Sequence, residues 1–369
     1  MCGLIMEMTP NTSKIAIITD QSPYSGIGTY AHSLYSLLKD TFPNLKLILT
    51  PYSSASLSDG AIVPPLNKTT STLMAYPLYR FLNSWRNSKY LSSAADYFHL
   101  CGMDYTLAER VKESICTVYD FYYRLPSRSN WSNPKELLAT MSINVSNIRS
   151  MRSMRKCNAL ISISEETSAA IKKSSGLDSK VVHLWVQETF HPRPKQLLRE
   201  KLSLPHNLRI LLNVSGGGAN KNLNTLRRII DMLPEYYRLV KIGYPINHPK
   251  VINLSRVSSI DYPLYFNACD VYVHTSIREG FGIPLLESLA SGIPIVTNKS
   301  STSGEVVGKA GLSVANPFDP SEYNSMILKL ENAEIYAEMS RLARERSSLF
   351  SRETAWRKMI DIYTESFGL

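Results

Sequence analysis

The sequence predicts an α/β protein made of two doubly wound domains, and three observations carry that prediction. Short apolar runs alternate with segments of helical periodicity along most of the 369 residues, the alternation comes in two series, and a stretch with three prolines separates them. Strands alternating with helices build parallel sheets covered on both faces, and ligands of such sheets sit at the carboxyl ends of the strands.

The first series opens at Lys14–Thr19, where the unbroken run Ile15-Ala16-Ile17-Ile18 reads as a strand buried on both faces. A helix over Thr29–Leu38 follows, then strands at Leu45–Leu49, Ser114–Tyr119 and Ala159–Ile163, with helices over Tyr105–Lys112 and Glu165–Ser174. Gln187–Pro205 is weakly patterned and reads as a linker. The second series has strands at Leu208–Val214, Tyr237–Ile242, Val251–Leu254, Val271–Val273, Ile293–Thr297 and Leu312–Val314. Its helices fall at Asn222–Leu233, Tyr262–Phe266, Pro284–Ala290 and Pro320–Glu331. The expected boundaries are therefore 1–186 for the first domain, 187–205 for the linker and 206–349 for the second domain.

Composition narrows the class of protein without naming it. Apolar residues at 44% and charged residues at 20% exclude a disordered or fibrous chain. A net charge of +10 suits a phosphorylated ligand, an anionic membrane or nucleic acid. Nucleic acid lacks any supporting motif. The excess charge is concentrated: Phe121–Leu160 holds seven basic residues, Arg149, Arg152 and Arg155 among them, against the single acid Glu136. Just upstream, Leu73–Tyr90 combines aromatics with Arg80, Arg86 and Lys89 and has no acid. Five cysteines without a C-x-x-C pair read as free thiols of a reducing compartment. Apolar runs are strand-sized, too short to span a bilayer, and the Leu4–Met6 segment lacks the basic flank of a signal peptide.

The chemistry concentrates in Arg278-Glu279-Gly280-Phe281-Gly282-Ile283-Pro284-Leu285-Leu286-Glu287, directly after the strand Val271–Val273. Gly280 and Gly282 permit close backbone approach to a ligand, and Pro284 suits the start of a helix. Orphan amides at that helix start favour oxygens and negative charge. Glu279 and Glu287 bracket the loop, and carboxylates accept hydrogen bonds from hydroxyls, which fits a sugar or a ribose. Ser291-Gly292 closes the helix with a glycine stop.

These residues resemble the Glu-x7-Glu signature of the retaining glycosyltransferases of family 4, GT-B enzymes that use nucleotide-sugar donors. Ala290–Thr297 and Gly304–Asp319 continue the resemblance. It implies that Glu279 contacts the donor sugar, Glu287 the nucleotide ribose, and the amides of Gly280, Phe281, Gly282 and Ile283 the sugar hydroxyls. Asn220-Lys221-Asn222-Leu223 is similar to the segment whose lysine binds the donor diphosphate. Where the family usually has Gly-Arg, this chain has Ser215-Gly216, followed by Gly217-Gly218. The glycine turn then supplies amides as an anion nest, or Arg278 reaches in, or donor binding is weaker. Ser25-Gly26-Ile27-Gly28-Thr29-Tyr30 resembles the family's first glycine loop, which faces donor phosphates and acceptor, so Gly26 and Gly28 join the donor-binding set. Thr117–Asp120 matches a His-Asp position in which Tyr119 replaces the histidine and Asp120 stays a catalytic candidate beside Glu279 and Lys221. Phe350–Tyr363 resembles the terminal helix that crosses back to the first domain, so 350–369 joins residues 1–186.

The resemblance implies two Rossmann-like domains, the first for the acceptor and the second for the nucleotide sugar. With no D-x-D triplet and no His/Cys cluster of metal spacing, no cofactor and no metal is expected, and charge on the departing diphosphate falls to Lys221 and loop amides. Expected partners are a nucleotide-sugar donor, a glycan or lipid-linked glycan acceptor and an anionic membrane surface, in a cytoplasmic setting at the inner membrane face. The rival readings are a non-catalytic nucleotide-sugar-binding or membrane module and another GT-B enzyme, such as a nucleotide-sugar epimerase.

Overall fold

The computed structural model describes residues 13–21, 25–49, 61–62, 91, 93–102, 105–119, 148–299 and 301–369. The chain divides into two compact units, one of Met1–Val182 with Trp356–Leu369 and one of His183–Ala355. The aromatic segment Leu73–Tyr90, most of the basic run and Asp120 lie outside the described residues.

In the first unit seven strands form a parallel sheet: β1 (Ile15–Thr19), β2 (Lys46–Leu49), β3 (Ala61–Ile62), β4 (Tyr97–Leu100), β5 (Glu113–Val118), β6 (Ala159–Ser162) and β7 (Lys180–Val181). Their order is β3-β2-β1-β4-β5-β6-β7, so the winding reverses between β1 and β4. Ile15, Ala16 and Ile17 are fully buried, as a strand covered on both faces requires. Helix α1 (Gly26–Leu38) follows β1, and α2 (Glu165–Ser175) follows β6. Ser164 caps α2 by accepting from the Thr167 amide, and left-handed Gly176 ends it. The helix expected over Tyr105–Lys112 is only a 3-10 turn at Tyr105–Glu109, because β5 already begins at Glu113 and the Tyr105 hydroxyl is held by the Thr117 carbonyl.

The second unit holds β8 (Arg209–Ser215), β9 (Tyr237–Gly243), β10 (Val251–Leu254), β11 (Val271–Val273), β12 (Ile295–Asn298) and β13 (Gly311–Val314), all parallel, in the order β10-β9-β8-β11-β12-β13. One face of this sheet packs Leu211, Leu239, Val271, Val273, Val296 and Val314 against Leu226, Ile229 and Ile230 of the helix Leu223–Met232. The stretch expected as a linker lies inside this unit and carries the helix Lys195–Lys201. Arg199 on that helix is buried, and its guanidinium pairs with Asp270 Oδ2 at 2.6 Å while donating to the carbonyls of Ala268, His206 and Leu208. Asp270 also receives Lys195 at 2.6 Å and the Ile210 amide at 2.7 Å. Burial of a charge demands such partners, and here they weld the proline-bearing stretch to the sheet.

The terminal helix Arg352–Phe367 carries most of its length into the first unit. Trp356 Nε1 donates to Thr41 Oγ1 at 3.0 Å, and the Tyr363 hydroxyl meets His99 Nδ1 at 2.8 Å. His99 Nε2 bonds Thr117 Oγ1, and burial pushes its pKa down to about 3, so His99 is a neutral packing residue of that core. Among the described residues Cys101, Cys116, Cys157 and Cys269 are free thiols, and no helix is long and apolar enough to cross a membrane.

Candidate functional site

In the second unit the order of strands reverses between β8 and β11. The connections leave these two neighbours in opposite directions, which opens a crevice beyond their carboxyl ends. After β8 the chain runs through Gly216–Gly218 and a 3-10 turn, Ala219–Lys221. Asn222 then turns it into the helix Leu223–Met232 with φ of 53°, a left-handed conformation that asparagine tolerates better than most residues. Asn222 Nδ2 holds the Pro317 carbonyl at 2.7 Å, and its Oδ1 accepts from Thr225 Oγ1. After β11 the segment 274–282 lies against this turn. The Ile277 amide donates to the Asn220 carbonyl at 2.8 Å, Asn220 Nδ2 donates to the Arg278 carbonyl, and Thr275 Oγ1 donates to the Lys221 carbonyl. This stitching brings Lys221 Nζ to 2.7 Å and 2.8 Å from the two carboxylate oxygens of Glu279.

Burial pushes the Glu279 carboxyl up, but neighbouring His274, the Lys221 ammonium and hydrogen bonds from Lys221 and Ser276 outweigh it and hold the pKa below the ordinary value. His274 is itself pushed down to about 4 by burial, so at neutral pH the cation that keeps Glu279 ionised is Lys221. His274 Nε2 is buried with no hydrogen-bond partner among the described residues. Thr302 Oγ1 donates to the Glu279 carbonyl and Asn298 Nδ2 to the Ser276 carbonyl, which fixes the backbone of the loop from its other side.

The loop ends at Gly282, whose φ of 90° only glycine adopts readily, and a Cβ there would meet Leu285 Cδ1 at 2.9 Å. The helix Ile283–Ser291 starts from it, with Pro284 in the first turn and left-handed Gly292 as its stop. Glu287 on that helix accepts from the Tyr262 hydroxyl at 2.7 Å. Burial pushes the Glu287 pKa up to about 7, with the Tyr262 hydrogen bond pulling the other way. Because the folded chain holds this proton more tightly than the unfolded chain, the associated stability is complete below the ordinary carboxyl pKa and is lost as pH rises through about 7. Glu287→Gln, which keeps the acceptor for Tyr262, is therefore expected to raise stability by about 1–3 kcal/mol near pH 8 and to leave it unchanged near pH 4. Thermal melts at the two pH values check this, and an equal shift at both would contradict the burial argument.

The structure brings Ser215, Gly216, Gly217, Lys221, Arg278, Glu279, Gly280, Phe281, Gly282, Ile283 and Glu287 into one unit, Ser215 as the last residue of β8 and the others on the segments that follow β8 and β11. Within that set, Arg278 is exposed. Phe281 buries its ring against His183 and Phe350, which leaves its backbone as the part able to face a ligand. Gly26 and Gly28 belong to the first unit, where they form the first turn of α1 instead of a loop. Ser25 Oγ caps that helix by accepting from the Gly28 amide at 3.0 Å, so this amide is already engaged. Tyr119 is buried with its hydroxyl on the Cys101 carbonyl. Thr275, Tyr262 and Lys241 shape the site without having been singled out from the sequence, and Asn220 and Asn222 were named there only as neighbours of Lys221. Asn before a helix is a start signal that could have pointed to Asn222.

Residues 194–346 match the family described as Glycosyl transferases group 1. O-antigen chain mannosyltransferase B of Escherichia coli is 40% identical over 76 residues, a match that spans 21% of this chain and 20% of that enzyme. Aligned stretches cover between 15% and 52% of the lengths of the curated relatives matched. Sucrose-phosphate synthase from Thermosynechococcus elongatus superposes with a TM-score of 0.75 at 16% identity, over 96% of this chain and 99% of that one. Anabaena HepE in complex with UDP and glucose superposes with a TM-score of 0.74 at 15% identity, over 95% and 99%. The parallel sheets described above are those of GT-B glycosyltransferase structures, and within that architecture residues 194–346 of this chain are a Glycosyl transferases group 1 domain.

Proposed function

We propose that the chain is a retaining, metal-independent glycosyltransferase of family 4 that moves a glycosyl group from a nucleotide-diphosphate sugar to a hydroxyl of a lipid-linked glycan. The observation that carries this reading is the Lys221 ammonium set against both oxygens of Glu279 at the switch point of the second sheet. A cation and a carboxylate side by side there match the two halves of such a donor: anionic phosphates for Lys221, sugar hydroxyls for Glu279. The O-antigen mannosyltransferase relative and the UDP and glucose held by HepE support the same ligand class.

Lys221 takes the charge that builds on the diphosphate as the anomeric carbon–oxygen bond breaks, and amides of Gly216, Gly217 and the Gly280–Ile283 loop share it. The acceptor oxygen forms its bond to the anomeric carbon on the face being vacated, and its proton passes to the departing phosphate oxygen. Glu279, kept ionised by Lys221, orients the sugar by accepting from a hydroxyl, and Glu287 does the same for the ribose. A panel of nucleotide sugars, offered with lipid-linked and water-soluble acceptors in the presence and absence of EDTA, tests each part. Nucleotide release matched by transfer to the lipid-linked acceptor, with anomeric configuration retained and unaffected by chelator, is the expected result. Binding without turnover would replace the enzyme with a binding module. A metal-restorable loss in EDTA would overturn metal independence, and preference for soluble acceptors would remove the lipid.

A further inference from the structure

Lys241 is a fully buried lysine with no carboxylate partner among the described residues. It sits near the end of β9, and its Nζ donates to the Ser215 carbonyl at 2.7 Å and to its neighbour Ile242's carbonyl at 2.9 Å. In register it lies between Asn213 on β8 and Asn253 on β10, one layer above the apolar face that packs against the helix Leu223–Met232. Neither asparagine carries charge, and both are occupied, Asn213 on the Val273 carbonyl and Asn253 on the backbone of Ile246. The charged group that acts on Lys241 is Lys221, itself paired with Glu279. Lys241 thus lies within the field of a second ammonium, and the carboxylate nearby is held by that other lysine.

The Ser215 carbonyl is seated from three sides. It accepts from Lys241 Nζ and from the Tyr244 amide at 3.0 Å, and Gly243 has φ of 100° with no room for a Cβ, which would meet this same oxygen at 2.5 Å. β9 lies on one side of β8 and β11 on the other. In a trans peptide the carbonyl and the following N–H point in opposite directions, and this chain has no cis peptide among the described residues. A Ser215 carbonyl turned toward β9 therefore turns the Gly216 N–H toward β11, over the crevice where Lys221 and Glu279 meet.

We infer that Lys241 is a positioning residue for the donor diphosphate: it holds the Ser215–Gly216 peptide so that the Gly216 amide faces the phosphates, and it backs that amide with positive charge. The inference rests on the proposed donor, a nucleotide-diphosphate sugar. Burial and then the charge of Lys221 push the Lys241 pKa down to about 8, so the backing charge is lost as pH rises through that value. A bound diphosphate holds the proton on Lys241, and affinity for it falls with the charge.

Titration calorimetry with UDP, GDP and inorganic pyrophosphate on the wild-type protein, Lys241→Met and Lys241→Arg, from about pH 6.5 to 9.5, tests this. Wild-type affinity is expected to fall about tenfold across the range, relative to Lys241→Arg, whose charge persists. Lys241→Met is expected to bind about tenfold more weakly near pH 7, with uridine and guanosine affinity unchanged and little dependence on pH. Identical pH profiles for wild type and Lys241→Arg would overturn the inference even if Lys241→Met failed to fold. So would wild-type pyrophosphate affinity in a folded Lys241→Met. Failure of the wild type to bind any diphosphate at any pH would instead refute the donor class on which the inference stands.

Discussion

Lys221→Ala is expected to lower glycosyl transfer by about 10²–10³-fold with the fold intact, the largest effect on activity anticipated for any single substitution. In the proposed reaction its ammonium takes the charge of the leaving diphosphate, and removing it also strips Glu279 of the cation that keeps it ionised. Glu279→Gln keeps the shape of the side chain and removes its charge, costing about 1.5–3 kcal/mol for each charged hydrogen bond to the donor sugar. Since the two residues work through one contact, the double variant is expected to lose less than the sum of the single losses. Coupled measurement of nucleotide release and acceptor glycosylation, with melting curves as a control for folding, decides the matter. Wild-type turnover in Lys221→Ala, or strict additivity, would sink the assignment.

The largest expected loss of stability lies away from this site. Asp270→Ala should destabilise the second unit by about 3–5 kcal/mol, because it leaves the buried Arg199 guanidinium without its carboxylate and the Ile210 amide without its acceptor. Arg199→Met should cost a similar amount by stranding Asp270, with Lys195 as its remaining cation. A combined Arg199→Met and Asp270→Leu variant removes both charges and is expected to recover part of the loss. Urea unfolding gives the comparison directly. Midpoints for the single variants within error of wild type would show that the helix Lys195–Lys201 is held by something else.

The parts of the fold written in local apolar runs were legible. Parallel strands covered on both faces need continuous apolar sequence, and Ile15–Ile18, Leu211–Leu212 and Val271–Val273 supply it. The segment from Glu279 to Glu287 was legible for a different reason: glycine, proline and the two carboxylates each have a local job there, so the residue types declare the geometry. What escaped depends on partners distant in sequence. Arg199 reads as a surface charge until Asp270 is placed beside it, and the stretch 187–205 reads as a linker for the same reason. Lys241, in Tyr237-Arg-Leu-Val-Lys-Ile242, looks like an ordinary polar interruption of a strand, and its role emerges when the Ser215 carbonyl comes to it. Gly26 and Gly28 were read as a loop although Ser25, a good capping residue, already marked a helix start.

The helix Arg352–Phe367 has a consequence for the order in which the chain acquires structure. The second unit is a single uninterrupted stretch, His183–Ala355, whereas the first is completed by residues that follow it in sequence. Contacts such as His99 with Tyr363 and Thr41 with Trp356 close loops of more than two hundred residues, and loops of that length form slowly. During synthesis every residue of the second unit therefore precedes Trp356 and Tyr363, and until these emerge His99 lacks its Tyr363 partner. For this chain, translation that ends before Trp356 yields every residue of the second unit and leaves the first without the segment that completes it.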